Sequence, residues 1–142
     1  MNRKMNVLLV EDNNLDAMMV ERAMRKVAPD VFIKRATDGL EALEIINRDQ
    51  MPKPYFILLD INMPRMNGHE FLSILRSSDK EQDCMVFMFT TSDSDQDIIK
   101  AYRGHVTGYI VKPQGTAGIK QVITTLQCYW NTCEPPLTSA CA

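Results

Sequence analysis

Glu11 and Asp12 follow the apolar run Met5–Val10, Asp60 closes the run Tyr55–Asp60, Thr90 closes Met85–Thr90, and Lys112 follows Thr107–Val111. Three carboxylates brought together without a partner would repel and raise one another's pKa values. The set makes chemical sense when a hard divalent cation and the Lys112 ammonium offset that charge, and magnesium is the natural candidate. Taken singly, each group is ordinary. Glu11-Asp12-Asn13-Asn14 also reads as a turn followed by a helix cap, because Asp and Asn favour both. The joint placement of an acceptor carboxylate, two further acids, a hydroxyl and a cation is what points to a site.

Such a meeting needs elements that end side by side. Met5–Val10 is a continuous apolar run bounded by acidic turn formers, as expected of a fully buried strand. Leu15, Met19, Ala23 and Val27 recur every four residues with Asp16, Glu21, Arg22, Arg25 and Lys26 elsewhere, predicting an amphipathic helix over Leu15–Ala28 that Pro29 stops. The alternation continues with strands at Val31–Ala36, Tyr55–Asp60, Met85–Thr90 and Thr107–Val111, and with helices at Asp38–Arg48 and Gly68–Ser77. Ser94-Asp95-Gln96-Asp97 has the Ser-x-x-acid form of a capping box and opens a helix to about Arg103, while Ile119, Val122, Ile123 and Leu126 stripe a last helix. Strict alternation of apolar strands with helices predicts an α/β, flavodoxin-like, doubly wound sheet of five parallel strands, order 2-1-3-4-5, with five helices. Ligands of such sheets sit outside the carboxyl ends of the strands. Glu11, Asp12, Asp60, Thr90 and Lys112 all fall on that edge.

A length of 142 residues suits one domain. Sixteen Lys and Arg against eighteen Asp and Glu give a net charge of −2, too balanced for the basic footprint that phosphate-backbone binding needs, so no direct nucleic-acid contact is expected. The apolar run after Met1-Asn2-Arg3-Lys4 is too short for a signal peptide. None of the apolar runs approaches the roughly 18 residues that span a bilayer. A cytoplasmic protein without membrane contact is expected. Cys84, Cys128, Cys133 and Cys141 form no C-x-x-C pair, and only His69 and His105 could assist them, which argues against zinc and for free thiols.

Four segments, in order, resemble the receiver domain of two-component response regulators: Val10-Glu11-Asp12-Asn13, Leu58-Leu59-Asp60-Ile61-Asn62-Met63-Pro64-Arg65-Met66-Asn67-Gly68, Thr90-Thr91-Ser92, and Gly108-Tyr109-Ile110-Val111-Lys112-Pro113. The likeness covers residues 5–130, leaving 131–142 as a short tail. It implies that Asp60 accepts phosphate from a histidine kinase, that Glu11 and Asp12 hold Mg2+, that Thr90 and Lys112 contact the phosphoryl oxygens, and that Tyr109 takes part in switching. It also implies a cis Lys112–Pro113 bond.

Each implied role has its own physical reading. Asp60 is a carboxylate nucleophile for an in-line displacement, with positive charge from the metal and Lys112 and a hydrogen bond from Thr90 stabilising the transferring phosphoryl. The main-chain carbonyl of Asn62 can complete the metal shell beside Glu11, Asp12 and Asp60. Its side chain cannot donate a carboxylic proton, so hydrolysis should be slow. Haloacid-dehalogenase-like phosphatases place a second Asp where Asn62 stands, and Asp60-Ile61-Asn62 lacks it. Gly68 reads as turn chemistry and Met63-Pro64 as a rigid loop. Phosphorylation would draw the Thr90 hydroxyl inward and open space for Tyr109, altering the surface of the fourth helix, fifth strand and fifth helix. Tyr109 also has a plainer explanation, as a simple strand aromatic.

The tail, with Pro135-Pro136 and small polar residues, cannot form an output domain. A stand-alone regulator acting through another protein is therefore expected, not an enzyme beyond its own phosphotransfer and slow dephosphorylation. The likeness is closest to regulators paired with phytochrome-type kinases. A binding adaptor that keeps the fold but works unphosphorylated is the alternative. A hydrolase would need an acid or base such as His69 or Glu70, for which the sequence offers no partner. Ile98, Ile99 and Tyr102 are candidates for a homodimer interface, with core burial the competing explanation. Asp49-Gln50-Met51-Pro52-Lys53-Pro54 reads as a tolerated surface insertion sooner than as a kinase-recognition or dimer feature, and Pro113–Gly118 as a Gly-rich, mobile approach to the last helix.

Overall fold

The computed structural model describes residues 3–79 and 81–137. Its elements run β1 (Asn6–Val10), α1 (Asn14–Val27), β2 (Phe32–Ala36), α2 (Gly39–Asn47), β3 (Phe56–Leu59), α3 (Gly68–Arg76), β4 (Met85–Thr90), α4 (Asp95–Arg103), β5 (Gly108–Val111) and α5 (Thr116–Thr132). The five strands are parallel in the order β2-β1-β3-β4-β5, the flavodoxin-like arrangement expected from the alternation. Val10 pairs with both Ala36 and Leu59, and Thr90 with Val111. The carboxyl ends of the strands are thereby level along one edge, with the strand order reversing between β1 and β3.

Burial follows strand position. Every residue of the inner strands β1, β3 and β4 is buried, whereas the edge strands β2 and β5 are mostly half-buried. Two apolar layers result from the period-two alternation of side chains. Leu8, Val10, Ile57, Leu59, Val86 and Met88 face α2 and α3, together with Phe71, Leu72 and Leu75. Val7, Leu9, Phe56, Leu58, Phe87 and Phe89 face α1 and α5, together with Val20, Met24, Ile123 and Trp130. Burial of this second set is completed by the long α5, whose Trp130 indole donates to the Lys4 carbonyl at 3.0 Å.

Several local expectations are corrected. The buried face of α1 is Ala17, Val20, Ala23 and Met24, rotated from the expected stripe, and Leu15 is exposed. Two apolar stripes compete on this helix, and the one with the small Ala17 and Ala23 is the one that lies against the sheet. The last helix runs through Thr132, because the 119, 123, 126 spacing continues to the buried Trp130. The segment before β3 is partly packed, with Met51 and Tyr55 in the core and the Pro54 carbonyl accepting from Asn6. Among the described residues the cis peptide bond is Lys53–Pro54, not Lys112–Pro113; an X-Pro preference of about 0.5–1 kcal/mol is too weak for sequence to fix it. Gly115 has φ 84°, a left-handed conformation, and provides α5 with no side-chain cap. Cys84, Cys128 and Cys133 are unbridged, and Cys141 lies outside the described residues. No helix among the described residues is long and apolar enough to cross a membrane.

Candidate functional site

Glu11 and Asp12 leave the end of β1 just before the Asn13 cap of α1, and Asp60 leaves the end of β3, its neighbour in the sheet. The carboxylates of Glu11, Asp12 and Asp60 offer oxygens that all lie within 4.8 Å of one another. Glu11 and Asp60 are buried and Asp12 is exposed. Hard oxygen donors grouped at this spacing, one of them open to solvent, fit a hard divalent cation. Asn62 stands two residues beyond Asp60 on the exposed part of the same loop.

Lys112, at the end of β5, projects its ammonium into this group. Its Nζ lies 2.7 Å from Glu11, 2.8 Å from Asp16 and 3.2 Å from Asp60. Burial above all, and then the Asp60 charge, raise the Glu11 carboxyl to about 7 against the downward pull of the Lys112 hydrogen bond and charge. Burial opposes the Lys112 charge, yet the hydrogen bonds to Asp16 and Glu11 and the Asp60 charge outweigh it and raise its pKa. Paired charges of this kind are how a fold tolerates ionised groups out of water.

The loops that carry these groups are pinned from both sides. Asp60 Oδ1 accepts from the Ile61 amide at 2.8 Å, and Glu11 Oε2 from the Asn13 amide at 3.1 Å. Arg65, in the loop after Asp60, is paired at 2.6 Å with Asp38, the N-cap of α2. The α3 start is capped reciprocally by Asn67 and Glu70, a capping box that the sequence reading overlooked although its Asn-x-x-Glu form was visible. Gly68 is required by space and not by turn chemistry: a Cβ there would lie 2.3 Å from the Asp60 carbonyl oxygen.

Thr90 is fully buried at the end of β4, where its Oγ1 accepts from the Ser92 amide at 3.5 Å. From Ser92 a chain of polar contacts runs outward. Ser92 Oγ donates to Asp97 Oδ2 at 2.6 Å, Asp97 Oδ1 meets His69 Nε2 at 3.0 Å, and the half-buried Tyr109 donates its hydroxyl to the Ser92 carbonyl at 2.8 Å. The hydrogen bond from Ser92, then that from His69, hold the Asp97 carboxyl below its usual range. Ser94 does cap α4 by accepting from the Asp97 amide, but the Asp97 carboxylate serves Ser92 and His69, so the expected capping box is only half made. His69 thus has a partner, on α4 and not among the acids.

Glu11, Asp12, Asp60 and Lys112 are therefore brought together, Thr90 adjoins Lys112 through its main-chain carbonyl, which accepts from the Lys112 amide at 2.7 Å, while its hydroxyl meets the Ser92 amide, and Tyr109 reaches the β4–α4 loop from β5. Sequence reasoning missed Asp16, Ser92 and Asp97 as members of this neighbourhood. For Asp16 the signal was its place one turn into the helix that follows the paired acids. For Asp97 no local signal existed, since its partners come from α3 and from the preceding loop.

Against known proteins, the response regulator receiver domain pattern matches residues 7–124. A probable methanogenesis regulatory protein, FilR2 of Methanothrix harundinacea, is 35% identical over 127 residues, covering 87% of this chain and 82% of that protein. Response regulator Rcp1 of Synechocystis is 27% identical over 128 residues, 87% of each chain. Its Mn(2+)-bound crystal structure superposes with a TM-score of 0.83 at 27% identity, over 94% of this chain and 99% of that one. The phosphorylated cyanobacterial phytochrome response regulator RcpA superposes with a TM-score of 0.87 at 26% identity, over 95% of this chain and all of that one. With sheet order, acid cluster and sequence pattern in agreement across most of its length, the chain belongs to the response regulator receiver family of two-component signalling.

Proposed function

We propose that Asp60 is the phosphoacceptor of this receiver, taking its phosphoryl group from a histidine kinase with Mg2+ as the metal. The observation that carries this reading is the convergence of Asp60 with two further carboxylates and the Lys112 ammonium at one strand edge. An Asp60 oxygen would bond to phosphorus as the phosphorus–nitrogen bond to the donor imidazole breaks. Glu11, Asp12, Asp60 and the Asn62 main-chain carbonyl would hold Mg2+, which when bound supplies positive charge to the phosphoryl oxygens. Lys112 neutralises developing charge, and Thr90 donates its hydroxyl. Asn62 offers no acid two residues beyond the nucleophile, so loss of the phosphoryl would be slow and no further catalysis follows. The likeness to RcpA, a phytochrome response regulator, supports a phytochrome-type kinase as donor.

The readout surface would be α4, β5 and α5. Thr90 and Tyr109 both touch Ser92, so drawing the Thr90 hydroxyl toward a phosphoryl shifts the loop on which Tyr109 rests. Ile99, Tyr102 and Val111 are exposed on α4 and β5, where a downstream protein or a second copy would meet the chain. The test is backbone amide NMR with Mg2+ before and after beryllofluoride, a phosphoryl mimic. The expected result is shifts at Asp60, Thr90 and Lys112 that extend through Ser92 and Tyr109 to residues 95–103. Shifts confined to the acid group would overturn the switching surface.

A further inference from the structure

The Lys112 ammonium has three N–H donors and lies against three carboxylates: Glu11 at 2.7 Å, Asp16 at 2.8 Å and Asp60 at 3.2 Å. Its donors are thus fully engaged before any phosphoryl arrives. A phosphoryl on Asp60 adds three strong acceptor oxygens, and Lys112 can serve one only by releasing a present partner. Glu11, 1% exposed, is one of the three carboxylates that would hold Mg2+, so with the metal bound the ion and not the ammonium would offset its charge. Asp16 differs. Its side chain is 35% exposed, so water can take over when the ammonium leaves.

Asp16 is also free for this role because of how α1 begins. Asn13 caps the helix by accepting from the Asp16 amide at 2.9 Å. The Asn13 amide, which an acid three residues on would otherwise reach back to, is already held by Glu11 Oε2. The Asp16 carboxylate therefore faces Lys112 and stands outside the three-carboxylate group of Glu11, Asp12 and Asp60.

We infer that Asp16 is a positioning residue for phosphoryl transfer: it holds Lys112 in competition with the group on Asp60 and so limits how far the ammonium commits to the phosphoryl. The inference rests on Asp60 being the acceptor. Removing the competitor should strengthen the engagement of Lys112 with a phosphoryl or its mimic.

The experiment compares wild type, Asp16→Asn and Glu21→Gln, the last removing the same charge from the same helix. Beryllofluoride affinity with Mg2+ and the rate of phosphoryl gain from acetyl phosphate should both rise about threefold in Asp16→Asn, the scale of a partly exposed ion pair, and stay unchanged in Glu21→Gln. In metal-free protein the Lys112 ammonium protons, followed by 15N NMR, should exchange with water faster in Asp16→Asn. Asp16→Ser gives a second variant with the same expected changes. Equal values for wild type and Asp16→Asn, or equal gains in Asp16→Asn and Glu21→Gln, would overturn the role of Asp16. A wild type that gains no phosphoryl and binds no beryllofluoride would instead overturn the acceptor assignment, and this inference with it, whatever the Lys112 exchange rates.

Discussion

A methyl group at position 68 would lie 2.3 Å from the Asp60 carbonyl oxygen and 3.0 Å from the Ile61 Cα. Both are backbone atoms that cannot swing aside, so Gly68→Ala must displace either the start of α3 or the loop that holds Asp60. Overpacking of this kind costs about 1–3 kcal/mol. Urea denaturation should show a lower midpoint with an unchanged slope, and an unchanged midpoint would contradict the steric reading. At this scale the sequence was informative about groups whose chemistry is carried by type and position. Glu11, Asp12, Asp60 and Lys112 follow strands whose apolar runs are unmistakable, and the sheet brings them together as expected. It was uninformative about Gly68, because a glycine that fills a turn and one that admits a neighbouring backbone look alike in sequence. Asp16 was hidden for a similar reason, since an acid in the first turn of a helix is favourable with no partner at all.

Of the elements, α4 is the most lightly held: Ala101 is its one buried residue. What fixes it besides Ala101 is polar, with Asp97 joining Ser92 of the β4–α4 loop to His69 of α3. Asp97→Ala should therefore cost about 1 kcal/mol, given that the pair is partly exposed. Amide hydrogen exchange should quicken over residues 92–103 and change little in β1 and β3. His69→Leu in the same background should recover part of the loss, because a buried imidazole left without partners is removed. Exchange that quickens uniformly, or not at all, would show that the link does not hold α4. The existence and order of all ten elements were legible from periodicity and caps. Faces were less so. The true stripe of α1, Ala17, Val20, Ala23 and Met24, competes in sequence with Leu15, Met19, Ala23 and Val27, and the choice is made by the sheet and α5, not by the helix.

Across the whole molecule, a single sheet edge collects charge from β1, β3 and β5 while the inner strands remain wholly buried and carry no charge. The strand order was legible because strict βα alternation and right-handed crossovers leave few arrangements. Links across the edge, such as that from Ser92 to Tyr109, were not, because they depend on how far each loop rises above it. Asp60 as the phosphoacceptor is tested by intact mass after incubation with acetyl phosphate, with and without Mg2+, for wild type and Asp60→Asn. The expected result is one hydroxylamine-sensitive phosphoryl group on wild type, dependent on Mg2+, and none on Asp60→Asn. No gain on wild type, or an equal gain on Asp60→Asn, would contradict the acceptor assignment.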